Sequence, residues 1–204
     1  MKQAHVVVCV AVLSGLAAGA VAADVRLVKD GQAQVAIHVN AGVMEPDKDV
    51  RAPSGNITAA ETERRQLRGA VEDLALYLGK ISGAKIETIQ RAPRDGDKLM
   101  PILIGDLATR KFGEPAEKTR CKQGWRMTVS KKGIGLSGQS DQSACYAIYE
   151  LLERLGCRWY MPSEMGECIP QAKTIALPVQ DVSGKPRTEG RIIWYADDAF
   201  KRRT

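Results

Sequence analysis

The sequence is short of nearly everything from which reactive sites are usually assembled. Of its 204 residues only His5 and His38 are histidine, and aromatic side chains make up 5%. A nucleophile–histidine–acid triad has little to draw on, and no G-x-S-x-G turn is present to carry a serine. No G-x-G-x-x-G turn joins a strand to a helix and no G-x-x-x-x-G-K-[ST] occurs, so no nucleotide cofactor is expected. The cysteines Cys9, Cys121, Cys145, Cys157 and Cys168 include no C-x-x-C pair. With so few histidines beside them, they offer no ligand set for a structural zinc, and no metal is expected. Basic residues outnumber acidic ones, 30 to 24, for a formal charge of +6, yet they stay interspersed until Lys201-Arg202-Arg203. A nucleic-acid binder gathers such charge on one element with aromatics between, so nucleic acid is not an expected partner.

What is present begins with a distinct leader. Met1 to His5 is a short basic start, and Val6 to Ala23 carries no charge and closes on Ala20-Val21-Ala22-Ala23. Small residues at −3 and −1 before Asp24 are what signal peptidase requires. The run comes close to the ~20 apolar residues that span a bilayer, so a membrane anchor is the competing reading. Glycines and alanines dilute its second half, which favours a cleaved signal over residues 1–23. No lipobox surrounds Cys9. The mature chain is therefore expected to start at Ala23 or Asp24, to be exported to the periplasm or beyond, and to be off the membrane after cleavage.

Residues 24–180 read as one α+β domain. Val25 and Leu27, then Val35, Ile37 and Val39, alternate with polar residues around the tight-turn pair Asp30-Gly31, which predicts a hairpin. That alternation puts His38 on the polar face, at the surface. Ala41 to Thr58, with Pro46, Pro53 and Gly55, reads as a loop. A long helix is expected from about Ala59 to Ile81, its stripe formed by Leu67, Ala70, Val71, Leu74, Ala75, Leu78 and Ile81. Lys85 to Ile89 has the look of an edge strand, and the nearly unbroken apolar run Met100 to Ile104 of a central one. Thr174 to Val179 predicts a last apolar strand, and Asp181 to Pro186 a linker.

The best-organised stretch is Trp125 to Pro170. Trp125 to Val129 alternates, Lys131-Lys132-Gly133 turns, and Ile134-Gly135-Leu136 returns. Ala144, Ala147, Ile148, Leu151, Leu152 and Leu155 then line one face of a helix, capped by Ser140 or Asp141 and stopped by Gly156. Cys157-Arg158-Trp159-Tyr160-Met161-Pro162 follows, and a loop with Glu164, Gly166 and Glu167. The expected order is β-β-α-β-β, a short α, then β-β-α-β: a mixed β-sheet with two long helices packed on one face.

The run G-W-R-M-T-V, I-G-L-S-G, Y-A-I-Y-E-L-L-E-R-L-G-C-R-W-Y-M-P and G-E-C-I-P resembles the N-terminal accessory domain of alpha-glucuronidase-like glycoside hydrolases. Related domains precede the barrel of beta-hexosaminidases. The resemblance extends over the whole mature chain. It departs from the pattern at Ser143-Ala144-Cys145, where the family has a glycine before the Tyr-Ala-x-Tyr helix. It implies that residues 181–204 are a linker and the first strand, Arg191 to Tyr195, of a (β/α)8 barrel whose carbohydrate substrate would be the protein's partner. It also implies places near sugar or at a domain interface for Arg158, Trp159, Tyr160, Glu164, Glu167, Arg191 and Trp194.

None of these residues is expected to be catalytic. Glycosidases need two carboxyl groups facing across a sugar, roughly 5–9 Å apart, and Glu164 and Glu167 share one loop. Two functions remain open: a non-catalytic accessory domain of a glycoside hydrolase, or a free-standing carbohydrate- or surface-binding module using the Arg158–Tyr160 edge. Export permits a Cys157–Cys168 disulfide; the alternative is that Cys145 and Cys157 are buried thiols.

Overall fold

The computed structural model describes residues 24–161 and 163–188, so the expected leader, Pro162 and the strand expected at Arg191 to Tyr195 lie outside the described residues. In chain order the elements are β1 Asp24–Lys29, β2 Gln32–Ala33, β3 Val35–His38, α1 Ala41–Met44, α2 Ala59–Ser82, β4 Glu87–Ile89, β5 Met100–Ile104, α3 Asp106–Phe112, β6 Trp125–Ser130, β7 Gly133–Gly138, α4 Asp141–Arg154, β8 Arg158–Trp159, β9 Glu167–Cys168, β10 Ile175–Pro178 and β11 Gln180–Gly184. The expected α+β layering is present.

A six-stranded mixed sheet in the order β11-β6-β7-β5-β3-β4 forms the centre. β4, β3, β5 and β7 are parallel, and β6 and β11 run antiparallel to their neighbours. Val35, Ile37, Ile102, Ile104, Met127, Val129, Ile134 and Leu136 form one core with Leu67, Leu74 and Leu78 of α2 and Ile148, Leu151 and Leu152 of α4. Those helices pack on each other, and α4 also packs on β6 and β7. Leu103 points the other way, to Leu107, Ala108 and Phe112, so the short α3 covers part of the second face.

Local signals set the helix limits. Thr58 accepts from the Glu61 amide at the start of α2, and Gly83, at φ 76°, closes it. Ser140 and Ser143 form a capping box at the start of α4. Gly156 follows α4 at φ +96°, a conformation that a side chain would strain.

Three expectations need correction. The hairpin at Asp30-Gly31 lasts two residue pairs, Val28 with Ala33 and Lys29 with Gln32; β1 then pairs with β10 while β3 enters the main sheet. His38 is fully buried, not on the surface. β3 lies between two parallel neighbours, and the chain from β4 to β5 carries Arg91 to it, where the Arg91 carbonyl lies 3.0 Å from His38 Nδ1. Strands buried on both faces do not alternate, which defeats a surface reading from period two. Last, the chain from Asp181 is not yet a linker: β11 pairs with β6 from Gln180 to Gly184.

Candidate functional site

The candidate residues of the Arg158–Glu167 hairpin gather where α2 and α4 end. Gly156 frees the chain from α4, and β8 and β9 pair Arg158 with Cys168 and Trp159 with Glu167. Trp159 turns inward. Its ring meets Tyr77 edge-on at 5.0 Å and Tyr149 at 5.8 Å, and its indole N–H donates to the Tyr77 hydroxyl at 2.9 Å. The Tyr77 hydroxyl in turn donates to Glu167 Oε1 at 2.7 Å, and Lys80 Nζ donates to Glu167 Oε2 at 2.7 Å. Tyr149 donates to Asp73 at 2.7 Å.

The electrostatics follow this wiring. Burial, then the Glu167 carboxylate, raises the Tyr77 phenol above its usual range, and Glu167 raises Lys80. Burial chiefly, with Asp73, raises Tyr149 further. Glu167 is thus held from both oxygens by a phenol and an ammonium, in a structural anchor. Glu164 opens a 3-10 turn, Glu164–Gly166, and is exposed. One carboxylate anchored and the other in solvent on the same hairpin do not make a pair facing each other across a sugar.

The rest of the hairpin divides between capping and display. Arg158 Nη1 donates to the carbonyls of Glu153 and Cys157, both at 2.6 Å, satisfying the end of α4. Tyr160 is 77% exposed, Met161 54% and Met165 90%, an outward apolar cluster on the loop that Trp159 anchors. Arg191 and Trp194 lie outside the described residues. Sequence reading missed Tyr77, Lys80, Asp73 and Tyr149. Tyr77 carried a usable signal: it stands three residues after Leu74 and four before Ile81, on the apolar stripe of α2.

Cys145 and Cys157 are buried, Cys121 and Cys168 are exposed, and no disulfide joins them. The ladder explains why Cys157 and Cys168 stay apart. Cys168 is opposite Arg158 and shares its face, whereas Cys157, one residue earlier, points to the other. Burial pushes the Cys145 thiol up to about 12 and raises Cys157 too. The run Gly133 to Gly138 does have G-x-G-x-x-G spacing, but it is β7 itself. Its backbone is laddered to β5 and β6, so its amides do not form a phosphate-cradling turn. Among the described residues no group of three or more His, Cys, Asp or Glu could hold a metal ion. No helix among them is long and apolar enough to cross a membrane.

Comparison with models of known protein families gives no match, and neither does comparison with curated protein sequences. Comparison with solved structures gives 19 matching chains. One is a family GH115 4-O-methyl-alpha-glucuronidase with specificity for decorated arabinogalactans. It aligns over 81% of this chain at a TM-score of 0.54 and 16% identity, while this chain spans 19% of that one. At such identity the likeness establishes a shared fold, that of an α+β domain occupying a small part of a larger glycoside hydrolase.

Proposed function

We propose that this chain is a non-catalytic N-terminal domain of an exported, alpha-glucuronidase-like glycoside hydrolase, supporting a catalytic barrel that binds the carbohydrate. The observation that carries the reading is one of proportion: most of this chain matches a fold that fills 19% of a glucuronidase chain. The engagement of Glu167 by Tyr77 and Lys80 supports the non-catalytic part, since it leaves Glu164 without a facing carboxylate. Export rests on the uncharged Val6 to Ala23 run and its small-residue end. On this reading neither nucleic acid nor, after signal cleavage, a membrane is a partner.

Purified residues 24–204, incubated with aryl glycosides, uronosides and oligosaccharides, should give background rates. A turnover abolished by Glu164→Gln or Glu167→Gln would overturn the reading. N-terminal sequencing of exported material should start at Ala23 or Asp24, and material still beginning at Met1 would refute the signal.

The exposed Tyr160 ring favours one alternative, a free-standing carbohydrate- or surface-binding module. Calorimetric titration of the chain with oligosaccharides separates the two. Binding that Tyr160→Ala removes would select the module, and no binding would select the accessory domain.

A further inference from the structure

Exposed apolar surface on this chain is gathered rather than scattered. Among the described residues six large apolar side chains are exposed, and three of them, Tyr160, Met161 and Met165, belong to the one turn between β8 and β9. Single exposed apolar side chains are ordinary on any protein; a grouping of this kind is not. The turn is held by its own backbone and by the domain beneath it. Trp159 is opposite Glu167 on the ladder, the Tyr160 amide donates to the Gly166 carbonyl at 2.9 Å, and the Gly166 amide donates to the Ser163 carbonyl at 3.0 Å. Trp159 and Glu167 are in turn fixed to α2 through Tyr77 and Lys80.

Two of those three side chains are thioethers, and their setting separates them from the other described methionines. Met127 is fully buried in β6, in the core that α4 covers. Met44 and Met100 are half-buried at the margin of the same core. A thioether is oxidised as readily as the oxidant can reach its sulfur, so Met161 and Met165 should react well before these. The two are not equivalent. A Cβ on Gly166 would collide with the carbonyl oxygen and Cγ of Met161, so the stem of Met161 lies directly on the buried Gly166. Met165, almost wholly exposed, stands clear of the turn.

We propose that Met165 and Met161 form an oxidation site, at which hydrogen peroxide turns this apolar turn polar while the domain stays folded. A sulfur lone pair attacks one peroxide oxygen, the S–O bond forms as the O–O bond breaks, and the other oxygen leaves as water. Sulfur gives up two electrons and the peroxide takes them. The product sulfoxide is a polar acceptor in place of an apolar side chain. On Met127 that oxygen would lack a donor in an apolar core, at a cost in stability. On Met165 and Met161 it meets water. None of the hydrogen bonds that hold the turn uses either sulfur, so the Trp159 anchor stays as it is. Reversal takes two electrons from a dithiol, which becomes a disulfide as the sulfoxide oxygen leaves as water. The inference rests on the exposure of the turn and does not depend on the accessory reading.

The test uses residues 24–204, which hold every described element of the fold. The exposed thiols of Cys121 and Cys168 are first blocked with N-ethylmaleimide, and hydrogen peroxide is then added and sampled over time. Peptide mapping by mass spectrometry should find Met165 oxidised first and Met161 next, both at least roughly tenfold faster than Met127. Once both are sulfoxides, retention on a hydrophobic-interaction column should fall while the urea midpoint stays where it was. A sulfoxide reductase supplied with a dithiol should restore the retention. The Met161→Leu/Met165→Leu variant keeps the turn apolar and should hold its retention through the same peroxide treatment. Met127 oxidised as fast as Met165, a retention that peroxide does not lower or the reductase does not restore, a variant that loses retention as the parent does, or a urea midpoint that falls with the first two sulfoxides would each overturn the proposal.

Discussion

The Trp159 indole sits edge-on to Tyr77 with ring centroids 5.0 Å apart, and its N–H donates to the Tyr77 hydroxyl. The Arg-Trp-Tyr edge is therefore two things at once: Trp159 is an anchor in the helix pair, and Tyr160 is the part on display.

Trp159→Ala should cost about 2–3 kcal/mol in urea unfolding. That lies below the ~3–5 kcal/mol of a fully buried aromatic, because the ring is half-buried, and includes the roughly 0.5–1.5 kcal/mol of an aromatic pair. Tyr77→Phe should cost about 1–2 kcal/mol by leaving the indole N–H and the Glu167 carboxylate each short of a partner. Tyr160→Ala should change stability by less than about 0.5 kcal/mol. A Trp159→Ala loss as small as that of Tyr160→Ala would show that Trp159 is not an anchor.

Acid should loosen the start of α2. Arg64 and Arg65, with the Lys48 amide, hold Glu61 far below the usual carboxylate range, and Arg91 does the same for Asp97. A lowered folded value means stability that is present above the unfolded pKa, about 4.3 for Glu and 3.9 for Asp. It is lost as pH falls through the folded values. Urea midpoints measured from pH 7 downward should hold until about pH 4–5 and then fall steeply. Glu61→Gln should be less stable at pH 7 and flatter in acid; an acid limb as steep as that of the parent would refute the assignment.

Gly138 should tolerate no side chain. A Cβ there would collide with the Ala144 backbone nitrogen and Ser143 Oγ, breaking the capping box of α4. Gly138→Ala should lower stability by roughly 1–3 kcal/mol, through overpacking and a lost cap. Ser143→Gly should cost less, since only the cap is lost. Thermal unfolding of both variants checks the order.

Thiol titration should separate the four cysteines after position 23 into two classes. Cys121 and Cys168 should react with a disulfide reagent at once, and Cys145 and Cys157 only as the domain opens, since burial raises both thiols. Fast modification of three or four thiols in native conditions would contradict the packing.

The long helices α2 and α4, β5, the β6–β7 hairpin and the Gly156 stop were legible because each carries its own periodicity or cap, whereas the one-turn α1, Ala41–Met44, lies in a stretch that reads as loop and has no side-chain cap. His38 was not, because its burial comes from β5 and from the chain bearing Arg91, both far from it in sequence. β11 was misread as a linker for a related reason: Gln180 to Gly184 has almost no apolar pattern, and it is a strand because β6 offers it an edge. At the hairpin, Arg158, Trp159 and Tyr160 stood out as types, but not their division of labour. Which ring turned inward depended on Tyr77 and Tyr149 waiting on two separate helices.

β1 finds its partner very late. Asp24 stands opposite Pro178 and Val25 opposite Leu177, so the first strand of the described chain is closed by nearly the last. Its buried Val25, Leu27 and Val28 cannot be fully covered until β10 has joined the chain. Such distant pairings slow folding, since most of the chain must be ordered before the contact is gained. The β6–β7 hairpin can form from neighbouring residues, whereas closure of β1 on β10 has to wait for residues some 150 positions further along the chain. Until β10 is made, β1 has only its two residue pairs with β2 to hold it.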